Sequence, residues 1–523
     1  MSELLSTRRS ILKLALLGAG AAAVGGALES PAAEAAAPQP EKWDDEADVV
    51  VVGYGFAGMT VAITAHDAGA KVLMLEKAPE HEKGGNSRVS ANAVYWPDDV
   101  EKAKVYFRAL MGPYTDNISD QMVDVWATEM YDNRAWLEKL GMKPRVAIPL
   151  PDFPELPGSD CAHSLIHGAG KPGDAHLFDD VIEPAMKARK IRTLYETPAV
   201  SLVKAGDEVV GVIAERKGKR IAIKANRGVA LTCGGFENNP EMLRTYIDGP
   251  AHIYPTGTPH NTGDGIRMAV EAGAELWHMN NIAGPEFFFK APELQVSRWT
   301  NIPGKNYLWI ARDGARFVCE GPMALTDRHG RVNFHGEWIQ QPTPTPIYMI
   351  FDETFRKSGP IGKGWNFSWD YFHGNHYDWS DDNSREIAKG WIKKGASVRE
   401  LAAMINLPAD ALEATVSRFN SFTRNHRDED FGRAAASLGA LETPPFYAIE
   451  LTPSLINTQG GPRRNERAQV IGMDGVPIRR LYSAGELGSI HSFLYQGGGN
   501  VGECFAFGRI AGNNLAHEPS RQS

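Results

Sequence analysis

Three glycines and one glutamate near the start of the chain have the types and the spacing that bind a dinucleotide. Gly53, Gly55 and Gly58 form a G-x-G-x-x-G motif, and Glu76 follows 23 positions after the first of them. The first glycine of such a motif permits a tight turn, the second lets the backbone approach a pyrophosphate, and the third allows close packing of helix and strand. The acid binds a ribose hydroxyl. These residues therefore predict a dinucleotide site.

A second glycine-rich segment helps to decide which dinucleotide is bound. Gly84-Gly85-Asn86-Ser87 follows Glu76 closely, and a second phosphate loop there favours a tightly held FAD over an exchanging nicotinamide. A later G-x-G-x-x-G at 497–502 lacks a preceding valine strand and a following acid, so it does not indicate NAD. It opens a helix-like stretch, 502–515, whose N-terminus could stabilise negative charge on a reduced flavin.

A few short elements must position these residues. The valines of segment 48–52 predict a buried parallel strand, and a helix is predicted from Ala57 to about Ala68. A second apolar strand, 71–75, ends directly before Glu76. Strand, glycines, helix, strand and acid in this order are typical of a Rossmann-like βαβ unit.

The chain resembles the FAD-binding fumarate reductase / 3-ketosteroid dehydrogenase superfamily over essentially all of the sequence after the first 35 residues. The matching stretches are the motif at Gly53, the loop 84–87, the segment Thr262-Gly263-Asp264-Gly265-Ile266-Arg267-Met268-Ala269, the segment Asp313-Gly314-Ala315-Arg316-Phe317-Val318, and the segment from Leu481-Tyr482-Ser483-Ala484-Gly485-Glu486 to Gly508-Arg509.

The resemblance implies an α/β fold, with a Rossmann-like FAD-binding domain and an inserted α+β capping domain. We expect the FAD-binding domain to be built from 47–279 and 446–523, and the capping domain to cover 280–445. It also implies that Glu486 touches the flavin ribityl chain and that Asn457, Val501 and Gly502 lie along the isoalloxazine. The full set of predicted cofactor-binding residues is Gly53, Gly55, Ala57, Gly58, Glu76, Lys77, Gly85, Asn86, Ser87, Asp264, Asn457, Glu486, Asn500, Val501 and Gly502.

A flavin exchanges a hydride with a substrate carbon while a neighbouring acid or base moves a proton on the adjacent carbon, so a C=C bond is reduced or formed. The reaction needs a conjugated carbonyl or carboxylate and donors to its oxygen. In the fumarate-reducing branch these donors are charged, but the matching positions here are Gln496, Ile456 and Ala324. Because each missing charged contact costs about 2 kcal/mol or more, fumarate is not favoured.

The ketosteroid branch matches better at its Tyr-x-Gly-x-Gly turn, which resembles Tyr495-Gln496-Gly497-Gly498-Gly499. The resemblance implies that the Tyr495 hydroxyl and the Gly499 N–H bind the substrate carbonyl. The second tyrosine of that branch also falls on Ala324, which leaves the proton-transfer residue open. The candidates nearby are Arg328, His329 and His335.

Tryptophan is concentrated in the predicted cap: eight of the twelve tryptophans lie between 277 and 391. An aromatic lid could bury a flat apolar substrate over the flavin, and the alternative is cap core or a subunit contact.

Composition excludes several other classes of protein. The 523 residues are 43% hydrophobic and 23% charged, typical of an ordinary globular chain. Asp and Glu number 64 against 55 for Lys and Arg, so no nucleic-acid partner is expected. The four cysteines are far apart, which predicts neither a metal site nor a haem or iron–sulfur cluster on this chain.

The first 35 residues indicate a cleaved export signal, followed by a linker over 36–46. Arg8-Arg9 precedes an Ala/Gly/Leu-rich stretch, and Ala33-Glu34-Ala35 is a cleavage pattern, which resembles a twin-arginine signal. The stretch is a poor membrane anchor because it is rich in Gly and Ala. We therefore expect a protein of the periplasm or cell envelope, with electrons carried by a separate cytochrome or quinone-linked protein.

The sequence thus predicts an exported FAD-dependent oxidoreductase of the CH–CH group, whose small-molecule substrate is an apolar or aromatic enone or is ketosteroid-like. Its direction is left open. One alternative is a reductase of unsaturated carboxylates such as urocanate or aryl-acrylates. The other is a non-catalytic, flavin-bearing electron-transfer subunit.

Overall fold

The computed structural model describes residues 39–148, 151–169, 176–249, 252–321, 328–363, 367–373 and 377–521. The predicted export signal and Ala324 lie outside these residues. The strands are β1 Asp45–Val52, β2 Val72–Leu75, β3 Val94–Pro97, β4 Pro144–Ile148, β5 Ala162–His167, β6 Arg192–Leu194, β7 Ala199–Ala205, β8 Glu208–Arg216, β9 Lys219–Leu231, β10 Tyr254–Pro255, β11 Leu276–Trp277, β12 Ile282–Ala283, β13 Glu286–Phe288, β14 Tyr307–Ile310, β15 Arg331–Phe334, β16 Glu337–Gln340, β17 Ile347–Asp352, β18 Ile392–Gly395, β19 Phe446–Leu455, β20 Asn457–Thr458, β21 Gly461–Pro462, β22 Gln469–Ile471 and β23 Pro477–Ser483.

The α-helices are α1 Phe56–Asp67, α2 Gly85–Val89, α3 Val100–Met111, α4 Asp120–Lys139, α5 Glu183–Ala188, α6 Pro240–Tyr246, α7 Asp264–Glu271, α8 Glu353–Ser358, α9 Trp369–Phe372, α10 Ser384–Ala388, α11 Val398–Met404, α12 Ala409–Asn425 and α13 Gly499–His517. The predicted first helix and second strand match α1 and β2 to within one residue. Helix α13 begins three residues before the predicted start at 502, so the glycine run belongs to its cap and first turn.

The largest sheet carries the predicted βαβ unit. Strands β6, β2, β1, β9 and β23 pair in parallel in that order, and β8 joins β9 in an antiparallel hairpin. The valines of β1 alternate between two buried clusters, with Val49 and Val51 in one and Val50 and Val52 in the other. Because both faces of the strand are covered, its sequence is continuously apolar instead of alternating.

Strand β23 and helix α13 come from the last part of the chain and complete this domain. Strand β23 pairs with β9, and α13 packs along α1. Small residues allow the two helices to approach closely, since a Cβ on Gly512 would lie 2.6 Å from the backbone oxygen of Val61. The first and last parts of the described chain therefore form one layered unit.

A second sheet has β19 as a long strand, with β17, β18 and β13 paired antiparallel to it and β14 paired to β17. Both of its faces are buried, because Trp309 and Met349 pack in one cluster while Leu308 and Ile350 pack with α11 and α12 in another. The domain boundary predicted between residues 445 and 446 stays a prediction. Strand β19 begins at Phe446, and it pairs with β17 and β18, which precede that boundary.

A small sheet of β3, β5 and β4 lies under α13, packed together with α3 and α4. The loop between β4 and β5 carries Asp152 and Phe153.

In the described ranges, no helix is long and apolar enough to cross a membrane, and no group of three or more His, Cys, Asp or Glu could hold a metal ion.

Candidate active site

The glycine motif forms one end of a cavity of about 820 Å³ at the carboxyl edge of the parallel strands. Gly53 has φ +109°, and a Cβ there would lie 2.4 Å from the backbone oxygen of Thr232. A Cβ on Gly58 would lie 2.0 Å from the backbone oxygen of Gly53, so neither position tolerates a side chain. The Phe56 N–H at the start of α1 donates to Ser87 Oγ at 2.9 Å, which ties the two predicted phosphate loops together.

Glu76 is fixed at the edge of this first cavity by the backbone. Its two carboxyl oxygens accept the N–H groups of Tyr54 and Ala78, each at 2.8 Å. Burial raises the pKa of Glu76, and these two hydrogen bonds act in the opposite direction. The remaining lone pairs lie at the cavity wall, where they could accept a hydrogen bond from a ribose hydroxyl.

Lys77 and Asp264 both line the first cavity, and their charged ends bind each other. The Lys77 Nζ lies 2.6 Å from Asp264 Oδ2 and 2.8 Å from Thr262 Oγ1. This pair joins the end of β2 to the start of α7. The pair thus joins two parts of the cavity wall that are 187 positions apart in the sequence.

Asn86 joins two buried acids at the inner end of the first cavity. Its Nδ2 donates to Glu237 Oε1 at 2.6 Å and to Glu486 Oε2 at 3.2 Å, and its Oδ1 accepts from the Thr258 N–H at 2.9 Å. Burial raises the pKa of Glu486 well above its usual value, and the nearby Glu237 raises it further. Burial raises the pKa of Glu237 as well, so two like charges this close in a buried site oppose full ionisation of the pair.

A second cavity of about 1380 Å³ adjoins the first and shares with it the lining residues Asn86, Ser87, Glu486 and Cys504. Predicted site residues on its wall are His329, Asn457, Tyr495, Asn500 and Val501. Most of the other lining residues are small or apolar, and they include Trp299 and Phe367. Of the cap tryptophans that the structure describes, Trp299 lines this cavity, whereas Trp369 and Trp379 are buried in packing clusters.

The turn before α13 brings Tyr495 to the second cavity. Its side chain is buried, and its hydroxyl oxygen accepts the Asn500 N–H at 3.4 Å. Burial raises the pKa of Tyr495, so the phenol is neutral and remains a proton donor. The Gly499 N–H differs from the prediction, because it donates to the backbone oxygen of Gln496 at 2.9 Å within the turn and is not offered to a ligand.

His329 faces the same cavity between two carboxylates. Its Nδ1 lies 3.1 Å from Glu286 Oε1, and its Nε2 lies 3.4 Å from Asp152 Oδ2. Its ring meets the ring of Tyr495 edge to face at 4.9 Å. Burial acts to lower the pKa of His329, but hydrogen bonds and charge from the two carboxylates raise it to about 10.

The other two proton-transfer candidates are placed elsewhere. Arg328 does not line the second cavity, and its Nη1 lies 2.5 Å from Glu155 Oε1. His335 is in the exposed turn between β15 and β16. Because consecutive side chains in a turn point in different directions, closeness in sequence to Ala324 did not bring all three residues to one site.

Two predicted cofactor residues line neither cavity. Gly58 packs against the Gly53 turn, and Gly502 faces α4, where a Cβ would lie 2.5 Å from Met130 Cε. The sequence analysis also missed Asp152, Glu237 and Glu286. Each comes from a loop or a short strand with no recognisable motif, so only the three-dimensional structure reveals them.

The residues present fit FAD, as the unpartnered polar atoms of Asn500 at the second cavity indicate. Both amide atoms of Asn500 are buried and have no hydrogen-bond partner in the part of the chain that the structure describes. Buried polar atoms are normally satisfied, so these positions point to a bound group with donors and acceptors, such as an isoalloxazine edge. Fold and site together define a flavin-binding oxidoreductase of the Rossmann-like class.

Comparison with known proteins agrees with this class. The family described as FAD binding domain matches residues 48–501. Fumarate reductase (cytochrome) of Shewanella frigidimarina is 30% identical over 501 residues, which cover 93% of this chain and 79% of the relative. The 3-oxosteroid 1-dehydrogenase of Mycobacterium tuberculosis is 26% identical over 582 residues, which cover 91% of this chain and 99% of the relative.

Among solved structures, 3-ketosteroid delta1-dehydrogenase from Sterolibacterium denitrificans, in complex with 1,4-androstadiene-3,17-dione, superposes with a TM-score of 0.76. It is 20% identical and covers 90% of this chain and 99% of its own, so the likeness is one of fold. The chain belongs to the FAD binding domain family, and it is an FAD-dependent oxidoreductase that acts on the CH–CH group. The predicted superfamily, fold class and cofactor are confirmed.

Proposed function

We propose that this enzyme reduces or forms a C=C bond conjugated to the carbonyl of a flat, uncharged substrate of the enone or ketosteroid type. Bound FAD supplies hydride exchange with the substrate carbon. The observation that carries the proposal is the wall of the second cavity. Small and apolar residues make up most of it, and its described lining includes neither Lys nor Arg to bind a carboxylate. The imidazolium of His329 is on this wall, but it is already paired with Asp152 and Glu286.

Two of the chain's own side chains divide the remaining work in this proposal. Tyr495 donates its hydroxyl proton in a hydrogen bond to the substrate carbonyl, where charge develops as the double bond is reduced. His329, beside it, gives a proton from Nε2 to the carbon next to that carbonyl, or takes it in the opposite direction. The edge-to-face packing of the two rings at 4.9 Å supports this division, because both groups must reach one carbonyl unit.

A second candidate is a reductase of unsaturated carboxylates. The fumarate reductase relative favours it, since that protein has the higher identity of the two sequence relatives described above. In this case the carboxylate would have to bind beside Asp152, whose own charge opposes it.

Matched pairs of substrates test the two candidates. The photoreduced holoenzyme is mixed with an aryl enone, a 3-ketosteroid, and an aryl acrylate as its acid and as its methyl ester, and the return of the oxidised flavin absorbance is followed. We expect the uncharged compounds to reoxidise the flavin at least tenfold faster than the acid. Faster reoxidation by the acid than by its ester would establish the second candidate instead.

We further propose that the protein is exported by the twin-arginine route to the periplasm or cell envelope and takes its electrons from a separate cytochrome or quinone-linked protein. Arg8-Arg9 and the Ala33-Glu34-Ala35 pattern support the export step. An Arg8→Lys/Arg9→Lys double variant should keep the flavoprotein inside the cell, whereas the parent should appear in the periplasmic fraction at its processed size. Equal distribution of both would refute this route.

A further inference from the structure

Asp152 connects the loop after β4 to the turn that carries Tyr495. Its Oδ2 accepts the Gly497 N–H at 2.5 Å and the Gln496 Nε2 at 3.0 Å, while its own N–H donates to Gln496 Oε1 at 3.1 Å. The Tyr106 hydroxyl also donates to Gln496 Oε1, at 2.6 Å. One carboxylate thus fixes both the backbone and the side chain of the turn next to Tyr495.

The same carboxylate is a neighbour of His329, which a second acid orients. The hydrogen bond from Nδ1 to Glu286 fixes the imidazole ring, because Glu286 is itself buried in β13. The Nε2 of His329 is 3.4 Å from Asp152 Oδ2, which is long for an N–H···O bond. Asp152 therefore holds the Nε2 proton only weakly, and a closer acceptor in the cavity can take it. The carboxylate nevertheless lies close enough to stabilise the positive charge.

The charged and titratable groups around His329 come from three elements. Asp152 faces it from the loop after β4, Glu286 from β13 and Tyr495 from the turn before α13, while Arg328 precedes it in the chain. Burial acts to raise the pKa of Asp152, but His329 and the Gly497 N–H lower it. The cluster therefore holds one imidazolium against two carboxylates at neutral pH.

We propose that Asp152 and Glu286 are positioning residues for the proton transfer: together they keep His329 charged and oriented at the cavity wall, and Asp152 also holds the turn that presents Tyr495. The inference rests on the proposed function. It adds to that function the residues that couple the proton donor to the carbonyl-binding group.

The proton step balances with the hydride that bound, reduced FAD would supply and with a proton from solvent. In the reductive direction, hydride adds to the β-carbon, which is the carbon of the double bond farther from the carbonyl. The C=C electron pair then moves toward the carbonyl oxygen. The bond between Nε2 and its proton then breaks, a C–H bond forms at the carbon next to the carbonyl, and the imidazolium becomes neutral imidazole. The ring regains its proton from solvent once the product has left, because the exposed 20% of the His329 side chain faces the cavity.

The test compares the Asp152→Asn and Glu286→Gln holoenzymes with the parent. Imidazole titration is followed by NMR on protein labelled with ¹⁵N-histidine, and His329→Gln identifies the His329 resonance. We expect His329 to titrate at least one pH unit lower in each variant. Enone kinetics should then separate the two residues: Glu286→Gln moves the alkaline limb of the pH profile with an unchanged KM, whereas Asp152→Asn also raises the enone KM about tenfold.

Glu155→Gln is the matched control, because Glu155 is in the same loop but pairs with Arg328 outside the cavity. It should leave the His329 titration and the enone KM unchanged.

If His329 of the parent titrates near its usual pKa of about 6.5, or if neither variant moves that titration, the proposal is overturned even though the enzyme still reduces enones. If no enone reoxidises the flavin, the proposed function fails, and the titration still reports separately on the cluster. Should Asp152→Asn not fold, Glu286→Gln alone decides whether the charged cluster exists.

Discussion

At the scale of single residues, the chemistry depends on two neighbouring side chains in different electrostatic states. Tyr495 is neutral because burial raises its pKa, and His329 is charged because two acids outweigh the effect of its burial. A neutral donor suits a carbonyl oxygen, and a charged donor suits a carbon that becomes basic during the reaction. Each can therefore be tested by removing one group or by changing the pH.

Replacing Tyr495 by Phe removes the hydroxyl and keeps the ring. Because a single donor to a developing oxyanion contributes on the order of 10²-fold or more to the rate, we expect enone turnover to fall by about that factor. The flavin should remain bound, since the aromatic ring that is kept at position 495 still packs against His329 and His491. Steady-state kinetics and the flavin absorbance check both statements, and turnover equal to that of the parent would remove Tyr495 from the mechanism.

The raised pKa of His329 fixes the sign of the pH dependence. Below about pH 10 the ring carries its proton, so the reductive rate should be flat through neutral pH and fall as the pH passes about 10. The dehydrogenation rate should change in the opposite sense, because that direction needs the neutral ring. Stopped-flow rates of the two half-reactions across this range provide the measurement. A fall of the reductive rate already at pH 6 to 7 would contradict the assignment.

At the scale of elements, the βαβ unit tolerates no side chain where its helix meets its strand. Gly58→Val would push a Cβ to within 2.0 Å of the backbone oxygen of Gly53, so α1 must move away from the cofactor site. We expect a protein purified with less than one tenth of the parent's flavin. Gly69→Asn, just after the other end of α1, is the control. A Cβ added there would have no atom within 4 Å, so this variant should retain its flavin.

A buried charged cluster lies beside β14, the strand whose Tyr307 backbone oxygen accepts a hydrogen bond from Arg433, and it should stabilise the second sheet. Arg316 Nη2 lies 2.8 Å from Asp428 and 3.0 Å from Glu320, and Arg433 Nη1 lies 3.1 Å from the same glutamate. Because Asp428→Asn leaves two buried guanidinium groups against one carboxylate, we expect a loss of about 3 kcal/mol in the free energy of unfolding. Denaturant unfolding measures it. Arg418→Gln breaks an exposed pair with Asp430 and is the control: it should leave the denaturation midpoint nearly unchanged, because solvent screens exposed ion pairs.

The elements that were predicted well are those whose residues lie next to one another in sequence. The glycine motif, β1, α1, β2 and Glu76 form one short segment, and its geometry follows from local rules. The charged cluster at His329 could not be predicted, because its members are brought together by chain folding. Asp152 meets Gly497 across 345 positions, and no local pattern encodes such a contact. The same is true of the Gly499 N–H, whose use inside its own turn depends on where α13 begins.

At the scale of the whole molecule, two cavities with a common wall connect the first sheet to the turn before α13 and to the aromatic residues Trp299 and Phe367. Cavity walls come from β1, β2 and α2, from the cap and from the turn before α13, so the ligands help to hold these parts together. Flavin affinity should therefore be coupled to the stability of the whole described chain.

Removal of FAD should lower the thermal unfolding midpoint. A ligand present at one hundred times its dissociation constant stabilises the native state by about 2.7 kcal/mol. We expect the midpoint of the apoprotein to lie several degrees below that of the holoenzyme and to rise with the logarithm of added FAD. Differential scanning fluorimetry over an FAD series checks this, with NAD as the control ligand. Equal midpoints with and without FAD would contradict the coupling.

The contribution of β23 and α13 to the first sheet has a consequence for biosynthesis. A ribosome that has made β1 and α1 must still translate more than 400 residues before β23 emerges to pair with β9. Until then the nascent chain has a nucleotide pocket without its closing wall. We therefore expect FAD to be inserted only after translation is complete, because Ala484, Glu486 and Cys504 of the cavity wall come from this last part of the chain. A messenger truncated near its 3′ end should then yield protein without flavin.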